Sequence, residues 1–268
     1  MALQAGVPSS WSLKILSSTK THVGPIKVPE VTFLFWVIKI AATTLGETAG
    51  DAVSMSMKLG YLIGTAIFGA IFLAAVAAQI SAKRFSPLLY WATIVATTTV
   101  GTTMADFADR SLGIGYAGGT SLLFVLLMSS LYAWHRSLGT ISVASVDSPK
   151  AEAFYWVTIM FSQTLGTALG DWTADSAGFG YLGSAAIFGI LLAVVAVAYF
   201  RTKISRVGLF WAAFILTRPL GAVLGDFLDK PHEVGGLALS RYSASGVLFV
   251  VMAACLLSSK QEAAKRSH

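Results

Sequence analysis

Residues 156–171 read WVTIMFSQTLGTALGD, and the same pattern occurs three more times along the chain. The other copies are WVIKIAATTLGETAGD (36–51), WATIVATTTVGTTMAD (91–106) and WAAFILTRPLGAVLGD (211–226). In every copy a glycine follows the tryptophan by ten residues and an aspartate follows it by fifteen. Because self-similarity at a fixed register is the signature of a repeat architecture, the sequence predicts four equivalent structural units.

The composition is that of a membrane protein. The chain has 268 residues, of which 55% are hydrophobic and only 12% are charged, whereas soluble domains carry about 25% charged residues. Apolar stretches follow one another with short breaks, and each is long enough to cross a hydrocarbon layer of about 30 Å. The net charge of +6 is spread over the loops without forming a basic patch, which argues against a nucleic-acid partner.

Each repeat divides into a polar half and an apolar half. The first half, which contains the quoted motif, is rich in Gly, Ala, Thr and Ser, small residues that allow helices in a membrane to approach closely. The second half begins near a tyrosine and becomes wholly apolar, as in IFGAIFLAAVAA (67–78). We therefore expect an all-α polytopic membrane protein with eight transmembrane helices, arranged as four parallel hairpins of one inner and one outer helix. The predicted repeats are 33–87, 88–138, 153–206 and 208–259, within one membrane domain (29–259) between an N-terminal tail (1–28) and a C-terminal tail (260–268).

The distribution of basic residues predicts the orientation. Two spans in each repeat place every tryptophan end on the same side of the membrane, and 13 Lys and Arg residues of the loops and tails fall on that side against four on the other. By the positive-inside rule, both termini are expected in the cytoplasm and the chain in the cytoplasmic (inner) membrane. The four tryptophans are then expected to act as interfacial anchors.

The recurring aspartates form the predicted cation site. A span of fifteen residues covers roughly 22 Å of helix, which places all four at one level in the outer half of the membrane. An intramembrane carboxylate is costly and is by default a functional residue. Carboxylate oxygens suit Mg²⁺, Ca²⁺ or Mn²⁺. The predicted ligands of a bound metal are Asp51, Asp106, Asp171 and Asp226, together with Glu47 one turn before Asp51, and a shallower acidic layer is predicted at Asp109, Asp175 and Asp229.

Two bases and a belt of polar residues accompany these acids. Arg218 and Lys39 are predicted counter-charges, and Arg218 is expected to pair with Glu47 or Asp171. That pair could lock the repeats together, or Arg218 could compete with a transported cation. Six polar residues two turns below the aspartates either line a path to the cytoplasm or bond the carbonyls of their own helices: Thr43, Thr44, Thr98, Thr99, Gln163 and Thr164.

The repeat pattern is similar to that of a family of bacterial multi-pass membrane proteins with four tandem repeats, each containing two spanning segments and a characteristic tryptophan. The resemblance covers about 33–259 and rests on Trp36, Trp91, Trp156 and Trp211 with their glycine and aspartate partners. It implies the architecture and no activity. The segments LGETAGD (45–51), LGTALGD (165–171) and LGAVLGD (220–226) also resemble the Glu-x-Gly-Asp helices of calcium and manganese exchangers, although here the spacing is Glu-x-x-Gly-Asp and the Glu occurs once.

The sequence leaves three functions open. The first is a transporter or channel for a cation, above all a divalent metal. The second is a proton-coupled carrier of a small organic cation or metabolite, bound by aromatic residues near the acids. The third is a non-transporting assembly or sensor protein. No nucleophile paired with a base is recognisable, so we expect no enzyme and no cofactor. The expected partners are the lipid bilayer and the cation, and the sequence leaves a homo-oligomer open.

Overall fold

The computed structural model describes residues 24–265, and in this part of the chain eight long helices account for the fold. Their bounds are α1 Phe33–Asp51, α2 Gly60–Ser81, α3 Pro87–Asp106, α4 Tyr116–Leu138, α5 Pro149–Asp171, α6 Gly180–Arg201, α7 Arg206–Asp229 and α8 Arg241–Ser258. The odd-numbered helices carry the quoted motif. Each of them begins at a Ser or Thr whose side chain accepts a hydrogen bond from a backbone N–H of the first turn, as N-caps do: Thr32, Ser86, Ser148 and Ser205.

The four inner helices form a closed ring around a central axis. Helix α1 packs against α3, α3 against α5, α5 against α7, and α7 returns to α1. Outside this ring, α2 packs on α3, α4 on α5, α6 on α7, and α8 on α1. Each outer helix therefore packs mainly on the inner helix of the next repeat. The expected pairing of each inner helix with the outer helix of its own repeat is therefore wrong, because the segment between them carries the outer helix over to the inner helix of the next repeat.

Glycine makes the ring possible. A Cβ added to Gly46 would lie 2.0 Å from Oγ1 and 2.5 Å from Cβ of Thr98, on the next inner helix. The same contact recurs around the ring, with Gly101 against Gln163, Gly166 against Arg218 and Gly221 against Thr43. A second small residue follows four residues later in every repeat, which gives the small-xxx-small pattern of closely packed membrane helices. The ten-residue spacing from Trp to Gly is thus explained by direct contact between helix backbones.

Gly46→Ala is expected to lower the free energy of unfolding by about 1–3 kcal/mol, the usual cost of overpacking a filled core. The helices must separate, because the backbone of Thr98 lies 3.1 Å from the new Cβ. Gly189→Ala is the matched control, since a Cβ at this position of α6 meets nothing within 4 Å. Thermal unfolding in detergent should show a lowered Tm for Gly46→Ala and an unchanged Tm for Gly189→Ala. Equal stability of the two variants would contradict the close packing.

Aromatic residues close the ring at its tryptophan end. Each tryptophan lies beside the aromatic residue that precedes the tryptophan of the previous repeat, with ring centroids separated by 5.4 Å for Phe35 and Trp91 and 5.8 Å for Tyr90 and Trp156. The pairs Tyr155–Trp211 and Phe210–Trp36 complete the belt. Trp91, Trp156 and Trp211 are buried. The prediction that the tryptophans are interfacial anchors is therefore wrong for these three, because they fill the end of the core.

The outer helices present apolar surfaces to the surroundings. By length and composition, α2, α4, α6 and α8 could each cross a membrane, and so could the inner helix α7. The exposed side chains of the outer helices are large and apolar, including Leu62, Leu122, Leu182 and Phe249. Helices α1, α3 and α5 contain Thr, Gly and acidic residues that face the ring interior, and they are less apolar for that reason. The chain is thus a helical, tandem-repeat membrane protein.

The two ends of the described chain meet beside the tryptophan end. The backbone N–H of Glu30 donates to Glu262, and that of Ala264 donates to Val28. The Lys27 ammonium, which is buried, caps the last carbonyls of α2 at 2.8–3.0 Å and lies 2.6 Å from Glu152. The described parts of the predicted tails are therefore packed on the membrane domain. Residues 1–23 of the predicted N-terminal tail lie outside the described residues, as do residues 266–268 of the C-terminal one.

Candidate functional site: an acidic ring and an axial arginine

The four motif aspartates lie together at the end of the ring opposite the tryptophans. Helices α1, α3 and α5 end at Asp51, Asp106 and Asp171, and each continues into a π-helical turn (52–56, 107–111 and 172–176). Such turns often occur at functional sites. Helix α7 runs past Asp226 as a regular helix. All four aspartates are at most 3% exposed, so the folded chain buries four carboxylates at one level.

Two basic residues bridge neighbouring members of this acidic ring. Lys230 Nζ lies 2.6 Å from Asp51 and 3.0 Å from Asp226. Arg110 lies 3.0 Å from Asp106 and 3.1 Å from Asp171. Each base follows the aspartate of its own repeat by four residues and reaches the aspartate of the next. Sequence reasoning treated both as ordinary loop charges, although the i, i+4 spacing after Asp106 and Asp226 was a usable signal.

The surroundings of Lys230 keep it charged. Burial alone would lower the pKa of this ammonium, because low polarity disfavours the charged form. Asp226 and Asp51 outweigh that effect and hold the pKa of Lys230 well above its usual value. Lys230 is therefore a cation that the chain itself supplies to the acidic ring.

The other two junctions of the ring are not bridged. Asp51 is an electrostatic neighbour of Asp106, and Asp226 of Asp171, but among residues 24–265 no base forms an ion pair with both members of either couple. The residue equivalent to the bridging base is Met55 in the first repeat and Asp175 in the third. Four aspartates and two bases leave two negative charges on the ring when every group is ionised.

The three acids of the predicted shallower layer differ in burial and in hydrogen bonding. Asp229 accepts a hydrogen bond from Arg241 at 2.9 Å, and Arg241 also lies 3.7 Å from Asp51. Asp109 is buried, and neither of its carboxylate oxygens has a hydrogen-bond partner within the described chain. Asp175 is exposed. Oxygens of Asp51, Asp226 and Asp229 lie within 4.8 Å of one another, a spacing that could hold a metal ion, but Lys230 and Arg241 already contact this group.

Arg218 occupies the axis one layer below the acidic ring. Its Nη2 donates to Glu47 at 2.9 Å, to Thr102 at 2.7 Å and to Thr167. These three acceptors occupy equivalent positions in the first three repeats, four residues before the ring aspartate, and the fourth repeat has Ala222 there. Arg218 pairs with Glu47 and does not contact Asp171. A single guanidinium, fully buried, therefore connects all four repeats.

The predicted polar path is mostly occupied by bonds within the protein. The hydroxyls of Thr43, Thr44, Thr98, Thr99 and Thr164 each donate to a carbonyl of their own helix. Thr43 and Thr98 additionally reach a carbonyl of the preceding inner helix at 3.3 Å. Gln163 differs, because within residues 24–265 neither atom of its buried amide has a partner. Lys39 is fully buried and lies 4.1 Å from the ring of Phe214, without an ion pair to any acid in the described chain.

Inner helices that surround a buried polar axis, and outer helices with apolar surfaces, define a class of four-repeat helical membrane proteins. The chain belongs to the family described as Repeat of Unknown Function (DUF347), whose family model matches residues 34–85, 89–140, 154–205 and 209–259. These four segments coincide closely with the repeats read from the tryptophan motif. No curated protein matches the chain, and no solved structure does.

Proposed function

We propose that the protein is a membrane transporter for a cation, and specifically for a divalent metal ion such as Mn²⁺, Ca²⁺ or Mg²⁺. The observation that carries this proposal is the charge of the acidic ring, in which two bases bridge four buried carboxylates, while a third base near Asp51, Arg241, is balanced by Asp229. The two remaining negative charges match one divalent cation. Oxygen-only ligands favour hard cations over zinc or copper, and the residues that would hold the ion are Asp51, Asp106, Asp171 and Asp226.

We place all eight helices across the membrane. They contain 18–24 residues, which correspond to about 27–36 Å of helix and are long enough for a hydrocarbon core of about 30 Å. The distribution of Lys and Arg supports a cytoplasmic position for the tryptophan end and both termini, in a cytoplasmic membrane. The acidic ring would then face the extracytoplasmic side.

The junction between the third and fourth repeats is the preferred place for the ion. Arg110 and Lys230 supply tethered cations at two junctions, whereas the third repeat has an acid, Asp175, at the equivalent position. This residue is exposed and would attract a cation toward Asp171 and Asp226 by local electrostatic focusing. The bound ion would thus neutralise the aspartates of this junction, as the side-chain cations Arg110 and Lys230 do at the neighbouring junctions.

Passage to the other side requires the axis to open. Arg218 blocks it below the acidic ring, and the aromatic belt closes it at the tryptophan end. A bound cation would repel the Arg218 guanidinium, because Asp226, one of its proposed ligands, is an electrostatic neighbour of Glu47, which Arg218 contacts. We propose that movement of Arg218 is the step that opens the path.

Flux measurements test this function. Purified protein in liposomes is expected to carry Mn²⁺, Ca²⁺ or Mg²⁺, and Asp171→Asn should abolish this flux while the variant stays monodisperse. Glu233→Gln is the matched control, because Glu233 is an exposed acid at the same end of the molecule, and it should retain full flux. Absence of flux for every metal from folded wild-type protein would reject the proposal.

Two other functions have an observation each in their favour. The bonds from Arg218 to residues of three other repeats favour a non-transporting assembly or sensor protein, in which the acids only hold helices together. Tyr61 and Tyr116, whose ring centroids lie 5.9 and 5.8 Å from the Arg110 guanidinium carbon, favour a proton-coupled carrier of an organic cation. Saturable flux of an organic cation that Mn²⁺ does not inhibit would support the latter.

A further inference from the structure

The axis below the acidic ring contains buried hydrogen-bond donors that the described protein does not satisfy. The Nζ atom of Lys39, the Nε and Nη1 atoms of Arg218 and the Nε2 atom of Gln163 are all buried without a partner among residues 24–265. These three residues, here called the donor cluster, are each 0% exposed. Buried polar groups are nearly always paired in folded proteins, so a group of unpaired donors requires a partner, which is either a bound ligand or water.

The members of the donor cluster lie on neighbouring elements of the ring. The stem of Arg218 packs directly against Gly166 of α5, and Gln163, which packs against Gly101 of α3, occupies the position in the third repeat that Arg218 occupies in the fourth. Lys39 Nζ lies over Phe214, which is one turn before Arg218 on α7, and Lys39 and Arg218 are electrostatic neighbours. Ammonium, amide and guanidinium therefore approach the same stretch of the axis from α1, α5 and α7.

This region of the axis has an excess of positive charge when its groups are ionised. Arg218 and Lys39 contribute two positive charges when ionised, and Glu47, which Arg218 contacts at 2.9 Å, contributes one negative charge. The acidic ring, which keeps two negative charges, lies one layer above, and none of its aspartates forms an ion pair with Lys39 or Arg218 in the described chain. An unpaired ammonium in a medium of low polarity is costly, and one bound monoanion would remove the excess.

We propose that the donor cluster binds a small inorganic monoanion of the halide class, such as chloride. The Lys39 ammonium provides its main charge, and Gln163 Nε2 and the free face of Arg218 provide hydrogen bonds. The buried side chains Ile94, Ile159 and Phe214, at the level of Lys39, close the site toward the tryptophan end. This anion site lies below the acidic ring and shares Arg218 with the proposed transport path, but its existence does not require cation transport.

A halide-dependent stability measurement tests the site. Protein in detergent is exchanged into gluconate at fixed ionic strength and titrated with chloride or bromide, and the Tm is expected to rise saturably by about 2 °C or more. Lys39→Met should fold, since it removes a buried charge and keeps the side-chain length, and should lose the halide response. Lys83→Met is the control, because Lys83 lies outside the axis at the same end of the molecule, and it should keep the response.

Gln163→Leu provides a second variant that leaves both charges in place, and it should reduce the apparent halide affinity by about tenfold, the loss of one hydrogen bond to a charged group. Three outcomes would overturn the proposal. The first is no halide response in the wild type, as expected if water or a neutral Lys39 satisfies the cluster. The second is an equal rise in Tm when further gluconate is added in place of the halide. The third is an unchanged halide response in Lys39→Met.

Discussion

Arg218→Met is expected to lower the free energy of unfolding by about 3–5 kcal/mol, the cost of removing one partner from a buried ion pair. The substitution leaves Glu47, which is 3% exposed, without its cation. It also removes the donor that Thr102 and Thr167 share. Because that donor connects α7 to α1, α3 and α5, the loss affects the whole ring. Thermal and denaturant unfolding in detergent measure the effect.

A second substitution separates the charge from the packing. Glu47→Gln in the Arg218→Met background removes the uncompensated carboxylate, and the double variant is expected to recover much of the lost stability, since neutral replacements of buried pairs are tolerated far better than half-pairs. Lys260→Met removes an exposed base whose only ion pair in the described chain is with the half-exposed Glu262, and it should change little. A stable Arg218→Met protein without the second substitution would contradict the structural importance of the pair.

Asp175→Lys is expected to reduce metal flux by about tenfold or more at micromolar metal, because a tethered ammonium competes at an effective concentration of about millimolar. The new base would stand four residues after Asp171, on a π-helical turn of the kind that carries Arg110. From there it would reach Asp171 and Asp226 as Arg110 reaches Asp106 and Asp171. Since it bridges one of the two open junctions of the ring, the variant should be at least as stable as the wild type.

Met55→Lys is the matched control for Asp175→Lys. It installs the same ammonium at the other unbridged junction, between Asp51 and Asp106, on the π-helical turn of the first repeat. Flux is expected to fall much less in this variant. An equal loss in both variants would contradict the assignment of the ion to Asp171 and Asp226 and would indicate that only the total charge of the ring matters.

The repeat motif predicted the fold well because each of its residues has one dominant physical role. The glycine permits contact with the next inner helix, and the aspartate lies at the opposite level from the tryptophan, where it ends three of the four inner helices. Periodicity and composition could not show that α2 packs on α3 and not on α1, because both helices offer small or apolar faces of similar length. Nor could they show that Trp91 is buried, since an interfacial and a core tryptophan have the same sequence surroundings.

The acidic residues were found from the sequence and their partners were not. A carboxylate in an apolar segment is conspicuous, whereas Arg110 and Lys230 follow the helices in polar segments where bases are expected. Their pairing with aspartates of a neighbouring repeat depends on the order of helices around the ring. Arg218 was conspicuous for the same reason as the acids, and its contact with Glu47 follows from the adjacency of α1 and α7.

Direct binding of Mn²⁺ to the purified protein, measured by equilibrium dialysis with wild type and Asp171→Asn in parallel, tests the central claim most directly. The residual charge of the acidic ring predicts one saturable Mn²⁺ per wild-type chain and none in the variant at the same free concentration. Binding that Asp171→Asn leaves intact, or no binding to folded wild-type protein, would show that the side-chain bases already satisfy the ring and that it holds no metal ion.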